Sequence, residues 1–250
     1  MPFITTPDHV TEAMLALAGV GPSDFVLDLG SGDGRIVITA ARRFGARGLG
    51  VEIVPELVER SRENARRAGV AQRAEFRVQD LFQTDLGAAT VITMYLLPEV
   101  NMQLRPALLR LKPGTRIVSH DWDLGDWHPV QTVQVEVPHK AVGREKLSRL
   151  HLWIVPAHAE GLWCGAGGRS MRLARHTDRV DGTLAAGAQA QGAAGLLRGT
   201  TLVLHGHPGS TARLQAQVEP QALRVTEAAG PWAAWGQQVL RPVTGSRCPD

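Results

Sequence analysis

The chain has 250 residues, 44% hydrophobic and 20% charged, enough to bury one large core or two modest ones. Its net charge of +3, from 27 Lys and Arg against 24 Asp and Glu, is too mild and too interspersed with acids to point to nucleic acid. No run approaches the roughly 20 apolar residues of a membrane span, and the N-terminus from Met1 to Pro7 lacks the basic start and apolar run of an export signal, so a cytoplasmic protein is expected.

In chain order, Phe25 to Leu29 reads as a short buried strand closed by Gly30. Ile36, Val37, Ala40, Ala41 and Phe44 then recur at helical spacing, predicting a helix that starts near Asp33 and ends at Gly45. Gly48 to Glu52 is a second strand. Pro55 opens a second helix at the position where its missing N–H costs nothing, and Gly69 closes it. Glu75 to Gln79 form a third strand with Phe76 and Val78 on one face, and Thr90 to Tyr95 a fourth, rich in β-branched residues. A helix from Pro98 to Leu111 leads through Lys112-Pro113-Gly114 into a fifth strand, Arg116 to Ser119. Such alternation predicts an open, largely parallel sheet covered by helices on both faces. Thr132 to Val137 and Leu150 to Val155 lack a helix between them and read as an antiparallel pair on the sheet edge, making seven strands.

After Pro156 the helical period disappears. Ser170 to Leu173, Thr200 to Leu204 and Ala212 to Ala216 alternate apolar and polar residues between Gly-rich turns such as Asp181-Gly182. This predicts a small antiparallel β module, open or barrel-like, ending in a flexible tail. The expected division is therefore residues 1–156 and residues 157–250. Cys164 and Cys248 lie far apart, with Cys248 close to the chain end, and read as two free thiols.

Chemistry gathers at the strand ends. Asp28-Leu29-Gly30-Ser31-Gly32-Asp33-Gly34-Arg35 joins the first strand to the first helix. Its glycines permit tight turns and close backbone approach, and the helix start beyond offers N–H groups to a carboxylate. No Gly-Lys-Ser/Thr follows, which excludes a phosphate loop. Arg35 replaces the last glycine of a dinucleotide fingerprint. The Asp28 carboxylate would repel a pyrophosphate but suits an ammonium group, so the loop favours a zwitterionic amino-acid tail. Glu52 ends the second strand, where a carboxylate can accept two ribose hydroxyls. Asp80, followed by Leu81 and Phe82, ends the third, where it can accept the amino hydrogens of adenine.

Val26 to Gly34 resembles the first motif of class I (Rossmann-like) S-adenosylmethionine-dependent methyltransferases, with Glu52 and Asp80 matching the second and third. The resemblance covers roughly residues 5 to 155. It implies an α/β fold, a seven-stranded Rossmann-like methyltransferase sheet with helices on both faces, to which the C-terminal β module is an addition. It also implies S-adenosyl-L-methionine as cofactor, held by Asp28, Gly30, Ser31, Gly32, Gly34, Glu52, Asp80 and Leu81, with Thr5 and Thr6 in a lid-like N-terminal segment. Asp28 to Val37, Thr6 to Val10 and Arg116 to His120 resemble small protein-lysine N-methyltransferases and their bacterial relatives. That implies a lysine amine of a protein as acceptor. A small-molecule O- or N-methyltransferase and a non-catalytic cofactor-binding protein working through its β module are the alternatives.

In-line transfer to a lysine can draw up to ~7–11 kcal/mol from positioning. Deprotonating the amine at pH 7 costs only roughly 4–5 kcal/mol, so a strong base is optional. The acceptor pocket is expected where the fourth and fifth strands end, among Tyr95, Pro98, Glu99, Asn101, Ser119, His120, Asp121 and Trp122. Tyr95 can hold an amine by its hydroxyl or ring, Trp122 can flank an alkyl chain, and His120 is the obvious base near neutral pH. Tyr95 and His120 are the catalytic candidates. Asp123, Asp126 and His128 read as ordinary loop composition, and no metal is expected. Thr93-Met94-Tyr95-Leu96-Leu97-Pro98 lacks the Asn/Asp-Pro-Pro-Tyr of enzymes that methylate adenine or glutamine, which argues against adenine in DNA as the acceptor.

Overall fold

In the computed structural model, which describes residues 4–140 and 146–249, the apolar runs of the N-terminal part become strands of one sheet. β1 (Phe25–Leu29), β2 (Arg47–Glu52), β3 (Ala74–Val78), β4 (Val91–Met94) and β5 (Arg116–His120) pair in parallel. β6 (Gln131–Glu136) and β7 (Leu147–Ile154) join antiparallel, giving the order β3-β2-β1-β4-β5-β7-β6. Strand alternation sorts the core into two faces. Val26, Val91 and Val118 pack with Val10, Met14 and Leu15 of α1 (Asp8–Leu17) and Ile36 and Ala40 of α2 (Arg35–Arg43). Leu27, Leu29, Ile92, Met94 and Ile117 pack with Leu104 and Leu108 of α4 (Pro98–Leu108). Phe76 of β3 is covered by α2 and by α3 (Pro55–Arg67) through Val37, Val58 and Ala65. Each such buried side chain contributes roughly 1.5–3 kcal/mol. Strand order reverses between β1 and β4, the switch point beyond whose carboxyl ends ligands bind in open α/β sheets.

Several boundaries move from their sequence-based positions. α2 starts at Arg35 rather than Asp33, because Gly34 takes φ +82 and caps it, and α1 before it has no counterpart among the helices expected from the sequence. β3 ends at Val78, which is 49% exposed although Phe76 on the same face is buried, since Val78 stands at the open end of an edge strand. α4 stops at Leu108 and its end tightens, with Arg110 N–H donating to Ala107 O and Leu111 N–H to Leu108 O. β7 begins at Leu147 because β6 still pairs with it there.

The chain divides into two compact units, Met1–Val155 and Pro156–Asp250. The second is a closed antiparallel barrel of eight strands: β8 (Gly161–Gly165), β9 (Arg169–His176), β10 (Arg179–Ala186), β11 (Gln189–Arg198), β12 (Thr201–His205), β13 (Arg213–Glu219), β14 (Ala222–Ala229) and β15 (Val239–Val243). Closure pairs β15 with β8 and leaves no open sheet edge. Its interior is apolar: Met171, Leu173, Leu202, Leu204, Leu214 and Val218 alternate inward, joined by Trp232 and Trp235 from a short 3-10 segment, Gly230–Trp235. β10 and β11 have no counterpart in the sequence reading, because their Gly- and Ala-rich stretches carry little hydrophobic signal. Gly195 shows why small residues stand there: a Cβ at this position would lie 1.9 Å from Val203 O on β12. The two thiols are also corrected. Cys164 and Cys248 form a disulfide that ties the segment after β15 to β8, so the tail expected to be flexible is anchored.

Candidate active site

A cavity of about 640 Å³ opens at the carboxyl ends of β1, β2, β3 and β4. β1 delivers Asp28, only 2% exposed, and β4 places Thr93 directly opposite it in register. The Thr93 hydroxyl donates to Asp28 Oδ1 at 2.7 Å. Burial pushes the Asp28 carboxyl up to about 7; the Thr93 hydrogen bond opposes the rise and the nearby Asp33 and Glu52 add to it. A cationic ligand group beside it would restore its charge.

Beyond Asp28 the chain turns through Gly30, Gly32 and Gly34, all with positive φ. The N–H groups of Gly30 and Ser31 donate to Val51 O, fastening the loop to β2. Asp28, Gly30, Ser31 and Gly32 line the cavity. Gly34 is not among the lining residues. A Cβ there would meet the Phe76 ring at 2.7 Å and Ser61 Cβ at 2.9 Å, so this glycine serves the packing of loop on sheet and α3 rather than ligand contact. Glu52 lines the cavity and braces it: Oε1 accepts the N–H groups of Ile53 and Val54, and Oε2 that of Gly32 at 3.1 Å. Asp80 caps the 3-10 turn Leu81–Gln83, accepting Phe82 N–H at 2.9 Å and Gln83 Nε2 at 3.2 Å, while Asp80, Leu81 and Phe82 together line the far wall.

Thr5 and Thr6 close the cavity from the N-terminal side. Arg35 holds them there, donating Nη1 to Thr6 O at 2.8 Å and gripping both oxygens of Asp33 at 3.0 and 2.7 Å. Although burial opposes it, this pairing keeps the Asp33 carboxyl below the ordinary carboxylate range. Motif matching gives no sign of this clamp; its signal is the Asp-x-Arg spacing at the helix start. Four acids line the cavity, Asp28, Asp33, Glu52 and Asp80, against one cation, Arg35, which is already committed to Asp33.

At the other end Tyr95, half-buried, lines the cavity just after β4 and stacks on His120 with ring centroids 3.9 Å apart. His120 is 1% exposed and lies behind Tyr95, outside the lining. Its Nδ1 meets Thr6 Oγ1 at 3.3 Å and its Nε2 meets Ser148 Oγ at 2.7 Å. Burial pushes the imidazole down to about 4, Asp121 opposing and Lys140 reinforcing the shift. His120, the expected base, is thus a buried ring stacked on Tyr95 and in hydrogen-bond contact with Thr6 and Ser148. Asp121 turns back with φ +67, accepting Lys140 Nζ at 2.8 Å and Arg149 N–H at 3.0 Å. Of the other acceptor-pocket candidates, Asn101 is fully buried and donates Nδ2 to Ser119 Oγ and the carbonyls of Trp122 and Asp123, bracing the loop after β5, while Trp122 is 40% exposed. Asp126 pairs with Arg105. Among the described residues no three His, Cys, Asp or Glu gather as a metal site, and no helix is long and apolar enough to cross a membrane.

A sheet of this order, a glycine loop after β1, and acids at the tips of β1 and β2 and just beyond β3 define a class I S-adenosylmethionine-dependent methyltransferase. S-adenosylmethionine fits the residues present, since the buried Asp28, its carboxyl pushed up to about 7, calls for a cationic partner such as an ammonium, and the acidic wall suits a sulfonium. Residues 28–131 match the ANTKMT methyltransferase domain. The chain belongs to the family of the protein-lysine N-methyltransferase of Saccharolobus islandicus (strain REY15A), with 44% identity over 54% of this chain and 86% of that protein. It is 36% identical to the adenine nucleotide translocase lysine N-methyltransferase of Mus musculus over 53% of this chain, spanning 58% of that relative's length. It is also similar, at 49% identity and a TM-score of 0.56, to a solved structure described as an RNA methyltransferase from Salinibacter ruber in complex with S-adenosyl-L-homocysteine, over 62% of this chain and 95% of that one. The barrel lies outside the residues matched by the family domain.

Proposed function

We propose that this enzyme transfers the methyl group of S-adenosylmethionine to a lysine side-chain amine of a protein. The observation that carries the reading is the charge of the cavity: four acids and one committed cation leave nothing to hold a phosphate and favour a cationic acceptor. The lysine relatives supply the same acceptor independently. Asp28 takes the cofactor's ammonium, Glu52 its ribose and Asp80 its adenine, while the Gly30–Gly32 turn, without a Cβ at 30 and 32, lets the cofactor lie close to the backbone. Thr6, pinned by Arg35, covers the site from above. When bound, the cofactor supplies an electrophilic methyl group, which the neutral amine takes by in-line displacement as the C–S electron pair returns to sulfur. Tyr95 orients the amine, and the proton it sheds leaves to water, because His120 is sealed away. Alignment by fixed groups accounts for the rate without a dedicated base.

RNA is the second reading, favoured by the description of the Salinibacter ruber structure. Against it, acids and bases balance within residues 1–155, and the whole net charge of +3 falls on residues 156–250. Incubating the enzyme with radiolabelled S-adenosylmethionine and a cell extract tests the choice. Label that survives ribonuclease, is released by protease and is recovered as methyl-lysine after acid hydrolysis is expected. Label released by ribonuclease would replace lysine with RNA, and label in the small-molecule fraction would replace both.

A further inference from the structure

An apolar ledge stands beside the end of the cavity that Tyr95 lines. β4 and β5 end next to each other, Met94 paired with Ser119, and Tyr95 leaving β4 stacks on His120 leaving β5. Trp122 follows two residues on, its N–H donating to His120 O at 2.9 Å. Trp122 is 40% exposed and Met102 of α4 is 39% exposed, and both lie outside the cavity lining. One loop joins them, and α4 clamps it. Asn101, fully buried, donates Nδ2 to the carbonyls of Trp122 and Asp123 at 3.3 and 3.4 Å, and Arg105 donates Nη1 to Leu124 O at 3.2 Å. Met102 lies against the same loop at Gly125, where a Cβ would meet its Cε at 2.9 Å. Val100, one residue before Asn101, lines the cavity, so a single helix carries both wall and ledge. An indole held out on a braced loop is preorganised for contact, because little ordering remains when a partner covers it.

The border of the ledge is acidic. Glu99, one helical turn before Met102, and Asp123, next to Trp122, are exposed and form no ion pair among the described residues. The cations Arg105 and Lys140 are committed to Asp126 and Asp121. With four acids in the cavity, this charge repels nucleic acid and anionic lipid and suits a cationic partner.

We infer that the ledge of Trp122 and Met102 is the docking surface for the substrate polypeptide, and that it takes an apolar side chain neighbouring the acceptor lysine in sequence. The inference rests on the lysine reading and says what surrounds that lysine. The lysine enters the acidic cavity past Tyr95, the apolar neighbour covers the indole, and Glu99 and Asp123 turn away segments rich in acid.

Two peptides, one lysine flanked by leucines and one flanked by serines, test this. The wild type should show a KM at least tenfold lower for the leucine peptide, with kcat values within threefold. Trp122→Ala should raise the leucine peptide's KM at least tenfold, with kcat within threefold and S-adenosyl-L-homocysteine affinity within twofold, and Trp122→Phe should restore most of the loss. The serine peptide's KM should move less than twofold in Trp122→Ala, since the two changes remove one contact. Val78→Ser, at an exposed apolar residue of β3, should alter neither peptide. Fluorescence anisotropy of the labelled peptides on enzyme loaded with S-adenosyl-L-homocysteine reads the same preference without transfer. A wild type indifferent to the flanking residues, or one whose preference survives in Trp122→Ala, overturns the inference. So does a wild-type dimer, or binding to phosphatidylcholine vesicles, that Trp122→Ala abolishes without moving the peptide KM. A leucine peptide that binds through Trp122 but is never labelled overturns the lysine reading alone.

Discussion

The two units treat their interiors in opposite ways. In residues 4–140 and 146–155, Thr6, Asp28, Ser31, Asp33, Ser61, Thr93, Asn101, Ser119, His120 and Ser148 are buried, whereas among the described residues of the barrel only Thr177 and Asp178 are buried polar groups. The large apolar side chains left exposed show the same split. Ile53, Val54, Val78, Phe82, Leu97, Met102 and Trp122 all belong to the sheet unit, most of them at or just beyond the carboxyl ends of its strands, and none to the described barrel. Buried polar groups and exposed apolar ones are both costly, so a fold keeps them where they serve something other than stability. The sheet unit carries a site and bears its cost; the barrel is built for stability, with an apolar core and no open sheet edge.

If that contrast is right, the barrel should respond to perturbation in stability and the sheet unit in binding. The largest effect is expected at the disulfide. Opening the 84-residue separation between Cys164 and Cys248 by Cys164→Ser should lower stability by up to ~4–5 kcal/mol on the chain-entropy account. Chemical denaturation with and without reductant measures it, and reductant should change only the wild type. Next, Leu214→Ala in the barrel core should destabilise by roughly 2–5 kcal/mol. Calorimetric affinity for S-adenosylmethionine should stay within twofold in the folded variant, and a large loss of affinity would break the contrast.

In the sheet unit the order of effects inverts. Asp28→Ala should weaken cofactor binding about 100-fold, close to 2.8 kcal/mol at 1.4 per decade, yet the cofactor-free protein should be no less stable. The sign follows from the raised carboxyl: its folded value near 7 exceeds the unfolded 3.8, so its stability contribution is complete below about pH 4 and is lost as pH rises to 7. The melting temperature of cofactor-free wild type relative to Asp28→Asn should therefore fall across that window. Cofactor affinity should move the other way, weakening as pH drops below 7 and Asp28 takes its proton. A flat difference between the two melting profiles would remove the buried acid from the account. The smallest effect belongs to Asp80→Ala, which loses a capping group worth ~1 kcal/mol and an adenine contact, for about tenfold weaker binding.

Much of the sheet was legible because helix and strand periods are local. The alternation that places Val26 and Leu27 on opposite faces, and the antiparallel pair at the sheet edge, can be read directly from residue order. The convergence of three acids on one cavity was legible for a related reason: Asp28, Glu52 and Asp80 each stand at or just beyond a strand end, and parallel strands bring their carboxyl ends together. The acceptor side was not. His120 has the composition of a base, but its role depends on Thr6, 114 residues away in sequence, and on Ser148 and Tyr95, which only packing brings around it.

The barrel shows the same limit from the side of stability. Gly182, Gly192 and Gly195 look like the content of a flexible segment, yet they lie within paired strands, and the cysteines looked independent until closure of the barrel carried Cys164 of β8 beside the end of the chain. Residue order by itself determined the strands, the helices, the fold class and which acids stand at their tips, since each depends on neighbours a few positions apart. Tertiary structure alone decided that a histidine is buried against a tyrosine ring and that two distant thiols are joined. Burial and charge at those places come from segments far apart in the chain, and no local pattern records them.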